Sequence, residues 1–310
     1  GFNSKIEENC KILAKEFSMG WNSHIEKECN FMAIGDKPAE MITIGDGTFI
    51  GFKANVLIPV LKIGDYTTIH NHILINGYEP CIIGHNCYIG QYAVLNSTKK
   101  LTIGNNVGIA LFGQIWTHAA FGELLEGCNI FKEAPTVVED DVWLTGGHIA
   151  VSPGVTLGKK SVILLGSIIT KDTIPGHCYG GIPAKDITEK LKPYREVTVD
   201  EKYNMMKKFV DEFVQNLSRD YDVKKIREGY LLVAKKYKFR ILFLEEVKGK
   251  VADQGLDTII ITKHQGDVTL GDQVTVFDLQ TKYYTKKRTD AEFMLIKFLK
   301  PYRARFLPRD

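Results

Sequence analysis

The sequence predicts a mainly β fold, a parallel β-helix of stacked three-strand rungs followed by an α/β appendage. Three observations predict it: an aliphatic residue recurs at almost constant spacing, turn-forming residues follow it, and the composition changes near Val197. The spacings are 19, 20 and 20 residues, then 19 again after one longer interval, at Ile44, Ile63, Ile83, Ile103, Val138 and Leu157. A period of about 20 residues is typical of a solenoid in which each period is one turn of the coil.

The residue types within each period fit a short strand that ends in a tight turn. The aliphatic residue is expected to point inward, because one rung cannot bury its apolar face alone and successive rungs must stack into one core. Turn residues follow it, as in Ile103-Gly104-Asn105-Asn106, and Gly and Asn adopt left-handed backbone conformations at little cost. A helix is disfavoured because these stretches lack a helical period. A β-sandwich is the alternative, but its turn signals keep no fixed period.

One interval in the repeat is longer than a rung. Ile103 and Val138 are 35 residues apart, so the excess must leave the coil as a loop. Residues 119–134, with the sequence AAFGELLEGCNIFKEA, fit this loop. Loops that project from a rigid scaffold commonly carry function.

Other segments flank the repeat on both sides. Residues 1–40 are expected to form an N-terminal cap in which KIEENCKILAKEF is a short helix, and residues 41–195 form the coil. Residues 196–310 are expected to form the basic α/β appendage, which has a common domain size. Its predicted helices are residues 200–219, 223–239 and 289–299, and its predicted strands are residues 256–263 and 273–279.

Charge is distributed unevenly along the chain. The formal net charge is +3, but residues 201–310 hold 23 Lys and Arg against 16 Asp and Glu. Such a region suits an anionic polymer or a membrane surface, although a lysine-rich solvated surface is the simpler interpretation. The six cysteines contain no C-x-x-C pair, and no apolar run approaches about 18 residues. No secretory leader is recognised, so we expect the reducing cytoplasm, or the inner face of its membrane.

The C-terminal part of the repeat carries a specific set of motifs. Between Pro135 and Asp186 the chain contains Val142-Trp143, Gly146-Gly147, PGVTLG, GSIITKD and GIPAK. Together these motifs resemble the hexapeptide-repeat acetyltransferases, in particular the maltose, galactoside and xenobiotic branch. The resemblance extends over about residues 40–190, is strongest in its last third and does not reach the appendage.

This resemblance implies a left-handed β-helix that forms homotrimers and binds acetyl-CoA, the acyl donor, between neighbouring subunits. It also implies direct attack of an acceptor hydroxyl or amine on the thioester, with a histidine as general base. His118, in the stretch IWTHAA, lies 25 residues before Trp143, where the family has this histidine. The family often has His-Pro, whereas this chain has His118-Ala119. Asn96 is the candidate for the asparagine with which the family positions the acceptor.

Further side chains are candidates for orienting the base and enclosing the acceptor. A carboxylate or a carbonyl is able to fix the tautomer of His118, and Glu123 and Glu126 on the loop are the candidate carboxylates. Trp143 and Trp116 are candidate walls of the acceptor or acyl channel. The ordinary alternatives are a surface histidine at the base of a loop and a tryptophan that packs in the core or in a trimer interface.

The resemblance also implies which residues bind the donor. Gly146 and Gly147 allow a pantetheine chain to approach the backbone closely, unless they serve only a tight turn. The residues that resemble the family's CoA groove are Gly166, Ser167, Thr170, Lys171, Gly181, Ile182, Pro183, Ala184 and Lys185. Lys171 and Lys185 are expected to meet CoA phosphates as point charges, unless they are ordinary solvated lysines.

Two other functions are compatible with a β-helix. Trimeric carbonic anhydrases with this fold hold zinc through three histidines, but the position comparable to the second one is Glu123, and the next histidine after His118 is His148. No metal is therefore expected. The second alternative is a trimeric scaffold that binds glycans without catalysis, which His118 and the GSIITKD and GIPAK motifs disfavour.

The expected acceptor is a carbohydrate or a nucleotide-sugar, in the modification of a bacterial capsule or lipopolysaccharide. The resemblance favours a sugar, and Trp116, Phe121 and Phe131 are able to stack on one. The basic appendage suggests an anionic polysaccharide, or else a role in oligomerisation. Neither a nucleic-acid partner nor a transmembrane segment is expected.

Overall fold

The computed structural model describes residues 1–252 and 254–309 and contains two compact units, residues 1–195 and the chain from residue 196 onward. The first unit is a coil of short strands that form three parallel faces, and each turn of the coil adds one strand to each face. The second unit is a sheet with two helices. The predicted parallel β-helix with an α/β appendage is confirmed.

The three faces account for almost all strands of the first unit. The strands of the first face, in stacking order, are Lys5–Ile6, His24–Ile25, Phe49–Ile50, Thr68–Ile69, Tyr88–Ile89, Gly108–Ile109, Trp143–Leu144, Val162–Ile163, Cys178–Gly180 and Lys185–Asp186. Those of the second face are Lys11–Ile12, Asn30–Met32, Asn55–Leu57, Leu74–Gly77, Val94–Ser97, Gln114–Ile115, Ala150–Val151 and Ile168–Ile169. Those of the third face are Ala14–Met19, Ala39–Ile44, Val60–Ile63, Cys81–Ile83, Leu101–Ile103, Thr136–Val138 and Thr156–Leu157. A short helix, Thr188–Leu191, follows the coil.

The inward aliphatic residues stack directly over one another, as the repeat predicts. Six of them are consecutive register partners on the third face and are buried: Ile44, Ile63, Ile83, Ile103, Val138 and Leu157. They belong to one continuous apolar core that runs through the coil. Stacking is what stabilises each rung, because a single turn of three short strands has no interior of its own.

Side-chain acceptors tie each rung to the next at the corner after the third face. Oδ1 of Asp65 accepts the backbone N–H of Asp46 at 2.8 Å, and Oδ1 of Asp140 accepts that of Asn105 at 2.7 Å. These N–H groups lie beyond the ends of the strands and would otherwise lack a partner in the ladder. The turn residues Asp and Asn therefore also link neighbouring rungs.

The N-terminal segment forms strands, so the predicted helix in residues 5–17 is wrong. Residues 5–6, 11–12 and 14–19 are strands that pair in parallel with the next rung, as in Lys5↔His24. Asn9 has φ of 59°, a left-handed turn conformation that a helix does not contain. Ile12 packs against the coil core, and this packing outweighs the local helical pattern. The coil therefore begins at Lys5 and not at residue 41.

The second unit is one seven-stranded sheet whose strands are neighbours in chain order. The strands are Asp222–Ile226, Gly229–Val233, Lys238–Val251, Asp257–Leu270, Val274–Asp278, Tyr283–Thr285 and Leu307–Arg309. Helices Val199–Leu217 and Asp290–Leu299 confirm two predicted helices, and the strands from Asp257 and Val274 confirm both predicted strands. Thr198 and Glu201 form a capping box that starts the first helix.

The helix predicted for residues 223–239 is wrong. This segment contains an antiparallel hairpin, with Ile226 paired to Gly229, and the first residues of the following strand. Gly229 lies in the middle of the predicted helix, where glycine costs about 1 kcal/mol relative to alanine. Leu232 is fully buried within the sheet, so burial on an inner strand prevails over the helical spacing of apolar residues. Among the described residues, no helix is long and apolar enough to span a membrane.

Candidate active site

His118 lies at the corner that follows the second face, where the chain leaves the coil. His118–Ala119 pairs antiparallel with Lys132–Glu133, and this pair closes the base of the predicted loop. The N–H of Ala134 then donates to the carbonyl of Thr117 at 3.1 Å, where the chain rejoins the coil. The histidine is thus held between the rigid coil and an exposed loop.

Asn96 orients the imidazole of His118. Oδ1 of Asn96 lies 2.9 Å from Nδ1 of His118. The backbone N–H of Thr98 donates to the same oxygen at 3.2 Å, and Nδ2 of Asn96 donates to the carbonyl of Asn76 at 3.3 Å. Because an N–H only donates and a carbonyl only accepts, these two contacts fix the amide with its oxygen towards His118. Nδ1 therefore carries the proton, and Nε2 is the basic nitrogen.

Two threonines complete this arrangement. The hydroxyl of Thr117, which is fully buried, donates to Oδ1 of Asn96 at 2.8 Å. The hydroxyl of Thr98 lies 3.2 Å from Nδ1 of His118, as a second acceptor for its proton. In the part of the chain that the structure describes, Nε2 of His118 has no hydrogen-bond partner. The free nitrogen and the buried network behind it suit a general base.

Trp116 lies beside His118, whereas the two loop glutamates do not. The rings of Trp116 and His118 meet edge to face, with centroids 5.8 Å apart. Glu123 accepts the backbone N–H of Leu125 at 2.9 Å. Within residues 1–252 and 254–309, neither Glu123 nor Glu126 is hydrogen-bonded to His118. The position for which a carboxylate or a carbonyl was expected is occupied by the amide oxygen of Asn96.

Several donor-site candidates gather at a different corner, between the first and second faces. Trp143 is 54% exposed and lies over Gly108, where an added Cβ would come within 3.1 Å of the indole. A Cβ at Gly146 would lie 2.3 Å from Cβ of Leu165, so packing alone requires glycine there. The carbonyl of Gly147 accepts the N–H of Gly166 at 3.0 Å.

The GIPAK segment folds onto this same corner. The N–H of Gly181 donates to the buried hydroxyl of Ser167 at 3.1 Å. The N–H of Ala184 donates to the carbonyl of Ile168 at 2.9 Å, and Lys185 pairs with Gly180 in the last strand pair. The chain between these anchors, Ile182 and Pro183, is exposed.

Thr170 and Lys171 lie elsewhere, two rungs above His118 on its own corner. Both follow the strand Ile168–Ile169 and are exposed. Within one chain, the structure therefore brings His118, Asn96 and Trp116 together, and brings the paired glycines together with the GIPAK segment, while Trp143 lies on the first face over Gly108. These two groups lie on different edges of the coil.

The sequence reasoning missed Thr98 and Thr117. Thr98 precedes His118 by 20 residues, one period of the repeat, so the period alone places residue 98 beneath residue 118. Thr117 is adjacent to His118, and its position as an inward residue of the corner was the available signal. Over residues 1–252 and 254–309, no group of three or more His, Cys, Asp and Glu side chains is arranged to hold a metal ion.

Comparison with known proteins gives relatives that are similar to part of the chain. Galactoside O-acetyltransferase of Escherichia coli strain K12 is 37% identical over 114 residues, which are 34% of this chain and 55% of that protein. A putative acetyltransferase of Saccharomyces cerevisiae is also 37% identical over 114 residues, 35% of this chain and 57% of its own. The chain thus spans little more than half the length of these relatives. No family model matches the chain.

The solved structures that resemble the chain do so weakly. A maltose O-acetyltransferase from Clostridium difficile 630 has a TM-score of 0.28 and 19% identity, and covers 58% of this chain and 70% of its own. An N-acyltransferase from Bacillus cereus has a TM-score of 0.40 and 17% identity, over 62% of this chain and 90% of its own. The sequence relatives confirm the resemblance that the motifs predict: about a third of this chain is similar to proteins named acetyltransferases.

Proposed function

We propose that the chain transfers an acetyl group from acetyl-CoA to a hydroxyl or amine of a sugar, with His118 as general base. The observation that carries this proposal is the 2.9 Å contact between Oδ1 of Asn96 and Nδ1 of His118. It holds the imidazole in the tautomer that leaves Nε2 able to accept a proton. The relatives named acetyltransferases support the reaction class.

The reaction needs no intermediate on the enzyme. The acceptor O–H or N–H gives its proton to Nε2 of His118 while its oxygen or nitrogen forms a bond to the thioester carbonyl carbon. The C–S bond then breaks, the acetyl group stays on the acceptor, and the proton passes from Nε2 to the departing sulfur. Asn96 keeps accepting the Nδ1 proton and stabilises the imidazolium. General-base help of this kind contributes about 10²–10⁴-fold.

The thioester oxygen gains negative charge as the acceptor attacks. We place backbone N–H groups of Gly146 and Gly147 beside this oxygen, since preorganised N–H donors stabilise such an oxyanion. Trp143, more than half exposed on the neighbouring first face, lines the acyl channel in this proposal. Lys171 and Lys185, both exposed, are the proposed contacts of the CoA phosphates.

The site is completed by a second copy of the chain. His118 and the glycine pair lie on different edges of one coil, so a groove between two copies is needed to bring the base of one to the donor corner of the other. Side-by-side packing of three coils creates three such grooves, and we propose a homotrimer on this ground. Holding acceptor and thioester together in the groove removes much of the entropic barrier.

A carbohydrate is the proposed acceptor. The name of the Escherichia coli relative states a galactoside acceptor for that protein, and the corner of His118 offers the aromatic side chains of Trp116, Phe121 and Phe131. The excess of Lys and Arg in residues 201–310 favours an anionic glycan or a nucleotide-sugar precursor, as in the modification of a bacterial surface polysaccharide.

The test is a screen of sugars, nucleotide-sugars and acidic oligosaccharides with acetyl-CoA, following release of free thiol. We expect acceptor-dependent thiol release with at least one sugar, and mass spectrometry of that product assigns the acetyl group to oxygen or nitrogen. Glycan binding in the absence of any acetyl transfer would instead support the scaffold alternative and contradict the proposal. Deleting residues 201–310 should weaken transfer to anionic acceptors more than transfer to neutral ones.

A further inference from the structure

Four rings are stacked along the corner between the first and second faces. His72, Tyr92, Phe112 and His148 come from four successive rungs, and we call them the ring column. Neighbouring centroids are 4.9, 5.3 and 5.0 Å apart, with interplanar angles of 1°, 14° and 10°. Each residue has φ between 54° and 60°, so the same left-handed turn repeats in each rung and stacks the rings nearly parallel.

The two ends of the ring column differ. At the lower end Phe52 packs edge-on against His72, with centroids 5.4 Å apart, and the ammonium group of Lys53 lies 5.0 Å from the centroid of Phe52. At the upper end the corresponding corner residue is Gly166, with φ of 69°. A Cβ added at Gly166 would have no atom within 4 Å. The upper end of the column is therefore open beyond His148.

The turn that contains His148 is one residue longer than the turns of the neighbouring rungs. Leu144 and Ala150 are six positions apart, whereas their register partners one rung below, Ile109 and Gln114, are five apart. The rung above, from Ile163 to Ile168, also has the shorter spacing. The extra residue lies in the Gly146-Gly147-His148 turn. Within residues 1–252 and 254–309 the ring of His148 makes no hydrogen bond, and it stacks on Phe112.

This geometry selects the kind of ligand that the column accepts. Inside the column, neighbouring rings cover one another's faces, so only their edges are accessible. A sugar stacks on the face of an aromatic ring and therefore cannot bind there. One face is left, that of His148 away from Phe112. A flat heteroaromatic ring laid on this face continues the column at the same spacing, and such stacking suits any nucleobase.

The surroundings of this face favour a nucleotide that also carries phosphates. Ser167, the residue after Gly166, holds the GIPAK hairpin through its hydrogen bond with Gly181. Leu165 and Ile182 are 72% and 71% exposed and offer apolar edges to a base. Lys185 at the end of the same hairpin is an exposed cation. A ring face for a base, an apolar rim and a nearby cation together match the adenine ring and phosphates of CoA.

We propose that His148 is the stacking platform for the adenine ring of the acyl donor, in an open slot at the level of Gly166, one rung above His148. This inference rests on the proposed function for the identity of the donor, but the slot itself is a property of the ring column. His148 acts on binding and takes no part in proton transfer. Its removal therefore affects donor affinity and leaves the chemical step unchanged.

Calorimetric titration of the full-length protein tests this with three probes: CoA, adenosine 3′,5′-bisphosphate, which keeps the adenine, and pantetheine, which lacks it. We expect His148→Ala to weaken the first two by about 10- to 100-fold, the effect of losing one base–aromatic stack, and to leave pantetheine unchanged. His148→Trp should restore binding. His72→Ala is the matched control, because His72 has the same turn conformation but both its faces are covered.

Each outcome decides the inference. Unchanged affinity of folded His148→Ala for the bisphosphate overturns it, as does equal loss in His72→Ala. Tighter binding of thymidine diphosphate than of the adenine bisphosphate would assign the slot to a nucleotide-sugar and overturn the assignment to CoA. If adenine binding depends on His148 but no acetyl transfer is found, the proposed function is contradicted and the adenine slot is still supported. In steady state, His148→Ala should raise KM for acetyl-CoA with kcat retained.

Discussion

The amide oxygen of Asn96 lies 2.9 Å from the protonated Nδ1 of His118, so the candidate base is oriented by the coil and not by the loop. The buried hydroxyl of Thr117 and the backbone N–H of Thr98 hold this oxygen in place. The loop that begins at Ala119 supplies no hydrogen bond to the imidazole among the described residues. The tautomer therefore depends on the stacked rungs of the coil.

Replacing Asn96 by Asp should move the pH dependence of the reaction. The carboxylate still accepts the Nδ1 proton, but its negative charge favours the protonated imidazole. We expect the acidic limb of the kcat/KM profile to shift to higher pH by about one unit or more. Asn76→Asp, one rung below and without a side-chain contact to His118, should give a smaller shift. Superimposable profiles for wild type and Asn96→Asp would refute the contact as the orienting interaction.

Lys171→Ala and Lys185→Ala should each raise KM for acetyl-CoA and leave kcat near that of the wild type. A lysine that meets a phosphate contributes about the strength of a charged hydrogen bond, so an increase of about 10-fold is expected for each. The increases should diminish at high salt because exposed charges are screened. Lys62→Ala, an exposed lysine on the third face, is the control. An equal effect in that control would show only a general loss of positive charge.

Burial should protect most cysteines from alkylation. Desolvation raises the pKa of Cys81 and Cys29 to about 12, and Cys87 and Cys178 are also buried. The thiolate is the reactive form, so these four should stay unlabelled by iodoacetamide at neutral pH while Cys10 and Cys128 react. Peptide mass spectrometry should find two labels in the native protein and six in denaturant. Rapid native labelling of Cys81 would contradict the packing of the core.

Asp186 should make stability depend on pH in the acid range. Hydrogen bonds from Thr188, then from His177, lower the pKa of Asp186 to about 2. Its ordinary value in an unfolded chain is about 3.9, so the stabilisation is complete above that pH and is lost as pH falls through about 2. Asp186→Asn should lower Tm slightly at pH 7, and the deficit should shrink between about pH 4 and pH 2. A deficit that grows on acidification has the wrong sign for this account.

The sequence predicted the coil well because its signal is periodic. Ile83 and Ile103 occupy equivalent positions in successive rungs, and their spacing in the sequence is enough to predict this equivalence. The prediction of secondary structure failed at residues 5–17 and 223–239, where apolar residues have helical spacing but lie in stacked or paired strands. A local sequence pattern shows helix propensity but not the stabilisation from packing on a neighbouring rung or strand, because those partners are distant in sequence.

For the site, the motifs predicted candidates but not how they meet. Asn96 was a candidate from the resemblance, and its contact with His118 crosses 22 residues through the stacking of one rung on another. The loop glutamates were proposed from nearness in sequence, and that nearness does not bring a carboxylate to Nδ1. The ring column was missed as well, although its four residues each stand two positions before a strand of the second face.

The most direct test of the central claim is single-turnover acetyl transfer by His118→Ala, with CoA affinity measured on the same preparation. The account predicts a rate lowered by about 10²–10⁴-fold and CoA affinity close to that of the wild type, since the base acts on the acceptor proton alone. His264→Ala, an exposed histidine of the second unit, should match the wild type in both. A near-normal rate in folded His118→Ala would contradict the account.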